Sequence, residues 1–388
     1  MTKLDKLIQE LCPDGVIYRN VSDVAEVSIG EFVHKSKQNP DGKYPVYNGG
    51  TSNTGYYDDY NRTANKIIIS ARGANAGFVN RVFTNYWSGN SCYTVDITDK
   101  NLDWNFAFYW FKSNELSLLG EQQKGGIPAV SKKQVERFRI PVPPLPVQRE
   151  IVRILDNFTE LIAELTAELT ARKKQYAYYR DKLLTHSSET KICKLADVCE
   201  SITDGDHMPP PKADDGIPFI TISNITEQNK IDFSNTMFVP SSYYDALADK
   251  RKPHSGDILY TVVGSYGIPV CIEQDTKFVF QRHIAILRPR SEVIKARYMF
   301  HAMQSGAFKA QADKAAKGAA QKTIGLSSLA EMTLPVPNMC IQERLIRVLD
   351  NFDAICTDLN IGLPAEIEAR QKQYEYYRDK LLTFTPAD

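Results

Sequence analysis

The sequence is short of several things at once. Its seven cysteines (Cys12, Cys92, Cys193, Cys199, Cys271, Cys340 and Cys356) are scattered, form no C-x-x-C pair and are odd in number. That pattern argues against a disulfide frame or a cysteine zinc site, and is expected of reduced thiols in a cytoplasmic protein. No run approaches the roughly 18 apolar residues of a membrane helix. The start, Met1-Thr2-Lys3-Leu4-Asp5, lacks the apolar stretch of a secretory signal. With a mean hydropathy of −0.35, a soluble protein with no membrane partner is expected. Net charge is missing as well, with 47 basic against 47 acidic residues. Residues 1–145 hold 17 Lys and Arg against 15 Asp and Glu, and residues 187–333 hold 17 of each. A nucleic-acid binder usually shows a basic excess. Any DNA surface here must segregate charge onto one face, or a partner must supply the positive field.

Catalytic motifs are scarce too. The nearest approach to an amine-methyltransferase N-P-P-aromatic string is Asn39-Pro40-Asp41-Gly42, which lacks the second proline and the aromatic. No G-x-x-x-x-G-K-[ST] phosphate loop occurs; Gly318-Ala319-Ala320-Gln321-Lys322-Thr323 is only superficially similar. His34, His186, His207, His254, His283 and His301 show no H-E-x-x-H spacing, and G-x-S-x-G is absent. No catalytic residue and no metal site are expected of this chain.

What is present is a repeat. Residues 141–158 read PVPPLPVQREIVRILDNF and residues 335–352 read PVPNMCIQERLIRVLDNF, an offset of 194. Residues 172–184 (RKKQYAYYRDKLL) return as 370–382 (RQKQYEYYRDKLL) at offset 198. Upstream the match is fainter. Asp23-Val24 aligns with Asp197-Val198, Pro45-Val46 with Pro218-Phe219, the strand-like Lys66–Gly73 with Asp257–Gly264, Phe108 with Phe300, and Lys124-Gly125 with Lys317-Gly318. The offset grows from 174 to 191 over the first three of these, so the second copy carries an insertion there. Each copy is a variable domain followed by a well-matched helix.

The variable domains mix short β-branched runs ending at glycine with helical stretches at Asn105–Ser113 and Ala296–Ser305. In the first helix Ile151, Leu155, Phe158, Ile162, Leu165, Leu169, Arg172, Tyr176, Tyr179 and Leu183 alternate spacings of four and three, a heptad seam. The second seam runs Leu345, Val348, Phe352, Ile355, Leu359, then resumes at Ile367, Arg370, Tyr374, Tyr377, Leu381. Gly362 and Pro364 lie in the gap, which predicts a kink. The fold class expected is α+β: two mixed α/β domains alternating with two long antiparallel coiled-coil helices in a pseudo-two-fold repeat. The boundaries expected are an N-terminal helix at 1–14, a first domain at 15–145, a helix at 146–186, a second domain at 187–338 and a second helix at 339–388.

These features resemble the specificity subunits of type I restriction-modification enzymes, and the resemblance covers almost the whole chain. Its most specific pieces are Glu10-Leu11-Cys12-Pro13-Asp14-Gly15-Val16, Ile140-Pro141-Val142-Pro143-Pro144-Leu145 with Gln148 and Ile151, and the two KQY-x-YYRDKLL strings. Asp204-Gly205-Asp206-His207 with Pro209, and the Thr166-Ala167-Glu168-Leu169 tetrapeptide, are similar to shorter pieces of that family. The resemblance implies that each domain reads one half of a split double-stranded DNA site in the major groove, and that the helices set the spacing. It also implies docking of two modification subunits, which use S-adenosylmethionine, with a restriction subunit as a further, ATP-using partner. No cofactor is implied for this chain itself.

Base edges are read by donors and acceptors on loops. In the first domain the candidates are Tyr47, Asn48, Thr51, Arg72, Asn75 and Lys124; in the second they are His207, Lys212, Asn224, Ser265, Tyr266, Gln281, Arg282 and Lys322. Each could equally be a solvated loop residue, and Asn48-Gly49 an ordinary turn. Gly73, Gly77, Gly264 and Gly267 fit tight turns after strands, with close approach to phosphate as the alternative. Tyr176 and Tyr179 lie on the seam and are expected to pack there. Tyr178 and Tyr376 lie off it and are the partner-binding candidates. Arg172 and Arg370, on the seam, fit either a buried polar contact or a partner site. A second function, from another class, is a coiled-coil scaffold whose globular ends bind proteins; the neutral charge fits it, whereas two variable domains on matched helices fit the reading of a split site.

Overall fold

The computed structural model describes residues 2–119, 128–185, 190–205, 210–319, 321–358 and 361–387. The chain divides into two compact units, residues 1–164 with 368–388, and residues 165–367.

The first unit opens with helix α1 (Lys3–Leu11), whose cap is reciprocal: the Thr2 hydroxyl accepts from Asp5 N–H while the Asp5 carboxylate accepts from Thr2 N–H. Strands β1 (Tyr18–Asn20), β2 (Ala25–Ile29), β3 (Tyr44–Tyr47), β4 (Gly55–Tyr57), β5 (Lys66–Ser70), β6 (Val79–Val82), β7 (Trp87–Ser88) and β8 (Cys92–Ile97) lead to helices α2 (Trp104–Ser113), α3 (Glu115–Leu119) and α4 (Lys132–Arg137), then β9 (Arg139–Pro141). The strands form three sheets in the orders β2-β8-β5-β6, β4-β3-β7 and β1-β9. β5 sits between β8 and β6, and its three isoleucines are all buried. Ile67 and Ile69 enter the main core, while Ile68 faces Val82, Tyr86 and Cys92 on the other side. That two-sided burial explains an unbroken apolar run where a one-sided strand would alternate.

Helix α5 (Leu145–Leu183) carries Pro146 in its first turn, where a missing N–H costs nothing. The second unit repeats the plan: β10 (Lys191–Lys194), α6 (Leu195–Val198), β11 (Cys199–Asp204), β12 (Ile217–Ile220), β13 (Met237–Val239), α7 (Ser241–Ala246), β14 (Ile258–Thr261), β15 (Pro269–Cys271), β16 (Val279–Phe280), β17 (Ile284–Pro289), α8 (Ala296–Met303), α9 (Gly306–Ala315), α10 (Leu326–Glu331) and β18 (Thr333–Val336), followed by α11 (Met339–Thr357) and α12 (Leu363–Leu381). Its sheets, β11-β17-β14-β15, β13-β12-β16 and β10-β18, reproduce the first unit's order strand for strand. The insertion foreseen from the drifting offset falls between β12 and β14 and holds α7.

One expectation needs correction. The second long helix is not continuous: α11 ends at Thr357 and α12 starts at Leu363. A side chain at Gly362 would meet the carbonyl oxygens of Ala354 and Asp358 at 2.6 and 2.8 Å, so glycine is what lets the backbone approach the end of α11 this closely. Pro364 then supplies a first-turn residue for the new helix. The gap in the seam is thus a break between two helices rather than a bend within one.

Helix pairing is seen within each unit. Phe352 stacks on Tyr176 (6.4 Å, 20° between planes) and on Tyr179 (6.1 Å, 21°). Cys356 lies near Lys173 and Arg172, so α11 runs antiparallel to residues 165–183. In the first unit Phe158 stacks on Tyr377 at 5.6 Å and 22°.

Two fixtures join each domain to the helix that follows it. The first is a fully buried glutamine. Gln148 accepts from Asp103 N–H (2.8 Å) and donates to the carbonyls of Asn101 (2.7 Å) and Pro143 (2.5 Å). Gln342 accepts from Lys295 N–H (2.9 Å) and donates to Val293 (3.1 Å) and Pro337 (2.8 Å). The second is a guanidinium on the helix aspartate. Arg81, from β6, meets Asp156 Oδ1 at 3.0 Å and lies against the rings of Phe83, Phe108 and Tyr109. Arg297, from α8, meets Asp350 at 2.6 Å and Asp353 at 3.0 Å, over the Phe300 ring.

The C-terminal tail closes the first unit. Val16 N–H donates to Thr385 O (2.8 Å), Ala387 N–H donates to Val16 O (2.9 Å), and Phe384 packs on Phe106 in the core.

Candidate nucleic-acid interface

The loops that leave β3 and β5 are tied to each other and to the loop before α4. Ala71 N–H donates to Ser91 O (2.8 Å), Asn48 Oδ1 accepts from Ser91 N–H (3.0 Å), and Ser70 Oγ donates to Gly50 O (3.0 Å). Gly73 N–H donates to Pro128 O (2.9 Å) and Val130 N–H to Ala71 O (2.8 Å). The second unit repeats these ties. Val262 N–H donates to His283 O (2.9 Å), Gly264 N–H to Lys322 O (3.0 Å), and Ile324 N–H to Val262 O (2.8 Å). Gly73 and Gly264 sit at φ +92° and +72°, the left-handed turn that a glycine after a strand permits.

This arrangement brings most of the expected residues together. Thr51, Arg72 and Asn75 are exposed on one loop cluster, with Asn48 half-buried beneath them. Tyr47 packs edge-on against Tyr86 at 5.8 Å, and burial raises its hydroxyl pKa. In the second unit Ser265, Arg282 and Lys322 are exposed, and Gln281 is half-buried with its N–H on Ile220 O (3.0 Å). Tyr266 donates its hydroxyl to Asp313 (2.9 Å). Among the described residues, no ion-pair partner is present for Arg72, Arg282 or Lys322, so their charge is available to an anion. Lys212 is exposed beside β13, one residue from the Ala213 N–H that bonds Phe238 O. Lys124 and His207 lie outside the described residues.

Asn224 is corrected. It is buried, its Oδ1 accepts from Thr221 N–H (2.9 Å), and its Nδ2 donates to Asp232 O (3.2 Å) and Asn235 O (3.0 Å). Its capacity is spent closing the loop. Arg172 is also settled as an exposed residue, bonded along its own helix to Glu168 and Gln175.

Other residues that build the cluster were not anticipated. Ser91 and His283 hold matching places under the two loops. Burial, with Arg282 adjacent, lowers the His283 pKa and favours the neutral ring. Gly30 and Gly205 also match: a side chain at either would collide with the backbone oxygen of Ser88 or of Phe280. The signal was in the sequence, because an offset of 175 joins these glycines one step from the 174 of Asp23 and Asp197.

Fold and site together define a duplicated protein: two α/β domains of the same strand order, each with a tied loop cluster, alternating with helices that pair within each unit. The family described as the type I restriction modification DNA specificity domain matches residues 13–172 and 187–369, and the chain belongs to that family. It is 27% identical over 403 residues to a putative type I restriction enzyme specificity subunit of Haemophilus influenzae, covering 99% of both chains. It is 33% identical over 308 residues to the type I restriction enzyme EcoR124I/EcoR124II specificity subunit of Escherichia coli, covering 72% of this chain and 70% of the relative. The solved S subunit of a type I restriction-modification system from M. genitalium shares the fold, with a TM-score of 0.59 at 19% identity, covering 95% of this chain and 96% of that one. Among the described residues no helix is long and apolar enough to cross a membrane, and no cluster of His, Cys, Asp and Glu could hold a metal ion.

Proposed function

We propose that this chain is the sequence-reading, non-catalytic subunit of a cytoplasmic type I restriction-modification complex, and that it reads a two-part double-stranded DNA target. Each unit takes one half-site through its own loop cluster. The observation that carries this reading is the duplicated tie, which presents exposed cations without an ion-pair partner among the described residues (Arg72 in one unit, Arg282 and Lys322 in the other) beside neutral donors and acceptors. Arginine serves both phosphate and guanine, and Asn, Gln and Ser read base edges.

Two modification subunits dock on the helices at the matched tyrosines. Tyr178 and Tyr376 are each 61% exposed and stand edge-on to Tyr179 and Tyr377, at 5.3 and 5.4 Å. Two equal patches suit two copies of one partner. The partners bring the S-adenosylmethionine chemistry, and a restriction subunit brings the ATP-driven step.

The test is a domain exchange. Replacing residues 15–139 with the corresponding segment of another specificity subunit, in the intact complex, should change one half-site in a methylation map. A change in both halves, or methyl transfer by the purified chain alone, would overturn the reading.

A further inference from the structure

The two units are near-copies, and α1 is an element that breaks the copy. In the first unit it lies at the start of α5. Leu4 is buried in one core with Val147 and Ile151, Leu7 and Ile8 pack against that core, and Lys3 Nζ reaches Glu150 Oε2 at 2.8 Å. Arg153 bonds Glu150 as well, at 2.6 Å, and together these cations hold its pKa down to about 2. Val147, Glu150 and Ile151 are 0%, 4% and 0% exposed.

At offset 194 the matching positions on α11 are Ile341, Arg344 and Leu345, with Val348 in place of Ile154. Here Ile341 is 42% exposed and Val348 43%, and Ile355, a further seven residues on, is 45% exposed. A heptad row of apolar side chains on one helix face is the shape that takes another helix. The charge is inverted too. Arg344 stands where Glu150 stands, and Arg347 matches Arg153. Both arginines are exposed, and among the described residues neither has an ion-pair partner.

We propose that the row Ile341–Val348–Ile355, flanked by Arg344 and Arg347, is a docking site for one acidic amphipathic helix of a partner protein. The first unit supplies the precedent, an amphipathic helix seated by leucines and one ion pair at the same place in the repeat. Inversion of the charge means that the occupant carries a carboxylate where α1 carries Lys3. It also argues against α1 of a second copy, whose Lys3 would face two arginines. The site occurs once per chain, because α1 fills its twin, and in this it differs from the paired tyrosine patches.

The probes are two fluorescein-labelled, lactam-stapled peptides of residues 2–11, one unaltered and one carrying Lys3→Glu, titrated into the full chain by fluorescence anisotropy. The Lys3→Glu peptide should saturate at one per chain and bind at least about tenfold tighter than the unaltered one, roughly the effect of one charge-assisted contact. Arg344→Glu with Arg347→Glu should reverse that order. Val348→Ser should weaken binding of the Lys3→Glu peptide, which separates this site from exchange with α1 itself. Circular dichroism identical to the parent chain establishes that these surface variants fold. Absence of saturable binding, or an order of affinities unmoved by the arginine reversal, sinks the proposal. So does sedimentation showing a dimer that Val348→Ser dissolves, since a second copy would then own the row.

Discussion

Tyr109 and His301 hold the same station in the two units, and each bonds the aspartate of the helix beside it. The Tyr109 hydroxyl donates to Asp156 Oδ1 at 2.6 Å; His301 Nε2 meets Asp350 Oδ1 at 2.7 Å. A carboxylate only accepts, so Nε2 carries the proton and Nδ1 accepts from the Tyr176 hydroxyl at 3.0 Å. The imidazole is fully buried, which lowers its pKa, and the neighbouring Arg297 lowers it further against the pull of Asp350 and Asp353.

The two stations therefore respond differently to acid. In the unfolded chain His301 titrates near 6.5, and in the folded unit lower. As pH falls through 6.5 the unfolded state takes up the proton first, so the second unit loses stability until the folded value is reached. The slope is at most about 1.4 kcal/mol per pH unit. Tyr109 stays neutral throughout this range. His301→Tyr, which copies the first unit, should flatten the fall in melting temperature between about pH 7 and pH 5. Equal slopes for parent and variant would clear His301 of the effect.

A second exchange tests the guanidinium joint. Arg81 also donates to Asn105 Oδ1 at 2.9 Å. In the repeat, Arg297 occupies the place of Asn105, and Cys271 the place of Arg81. The cation has changed elements while keeping its aspartate. Arg81→Cys should destabilise the first unit by about 2–3 kcal/mol, the loss of a charged hydrogen bond and its ring contacts. Adding Asn105→Arg should restore more than half of that in urea unfolding. No recovery would mean that the two joints are not interchangeable.

This exchange also marks the limit of what the residues disclosed. The helices were legible because KQY-x-YYRDKLL and LDNF recur almost unchanged, and the core strands because β5 and β14 are buried on both faces. The joints were not, because Tyr109 and His301 do the same work with different residue types, and Arg81 and Arg297 share no alignment column. Asn224 read as an outward donor because a loop asparagine gives no hint of which backbone carbonyls will surround it. The pairing of Val16 with Thr385 and Ala387 joins the two ends of the chain, and no local pattern encodes it.

Arg72 and Arg282 test the DNA face. Reversing either charge in the assembled complex should weaken binding at its own half-site by about 1–3 kcal/mol if it reads a base. If it contacts phosphate, the slope of log affinity against log salt should fall by about 1 with base preference intact. Unchanged affinity and slope in a folded variant would remove that arginine from the interface.

Helix α5 is unbroken through Thr166-Ala167-Glu168-Leu169. Inserting one further Thr-Ala-Glu-Leu after Leu169 adds roughly 6 Å and a net rotation near 40°. One base pair adds about 3.4 Å and rotates by ~35°. The insertion should lengthen the unread spacer of the target by one base pair in a methylation map. A fixed spacer would end the view of this helix as a ruler.

Placing Leu382 and Phe384 in the first unit's core reverses the usual order of events on the ribosome. Domains generally mature from the N-terminal end as they emerge. Here the domain made first lacks part of its interior until residues 382–384 have been translated, on the order of ten to forty seconds after residue 164 at typical elongation rates. The second unit needs nothing beyond residue 367 and is free to mature sooner. A message cut short between codons 367 and 382 would thus release a chain whose early half, not its late half, is left with an open core, and that half becomes the natural target for chaperones and proteases.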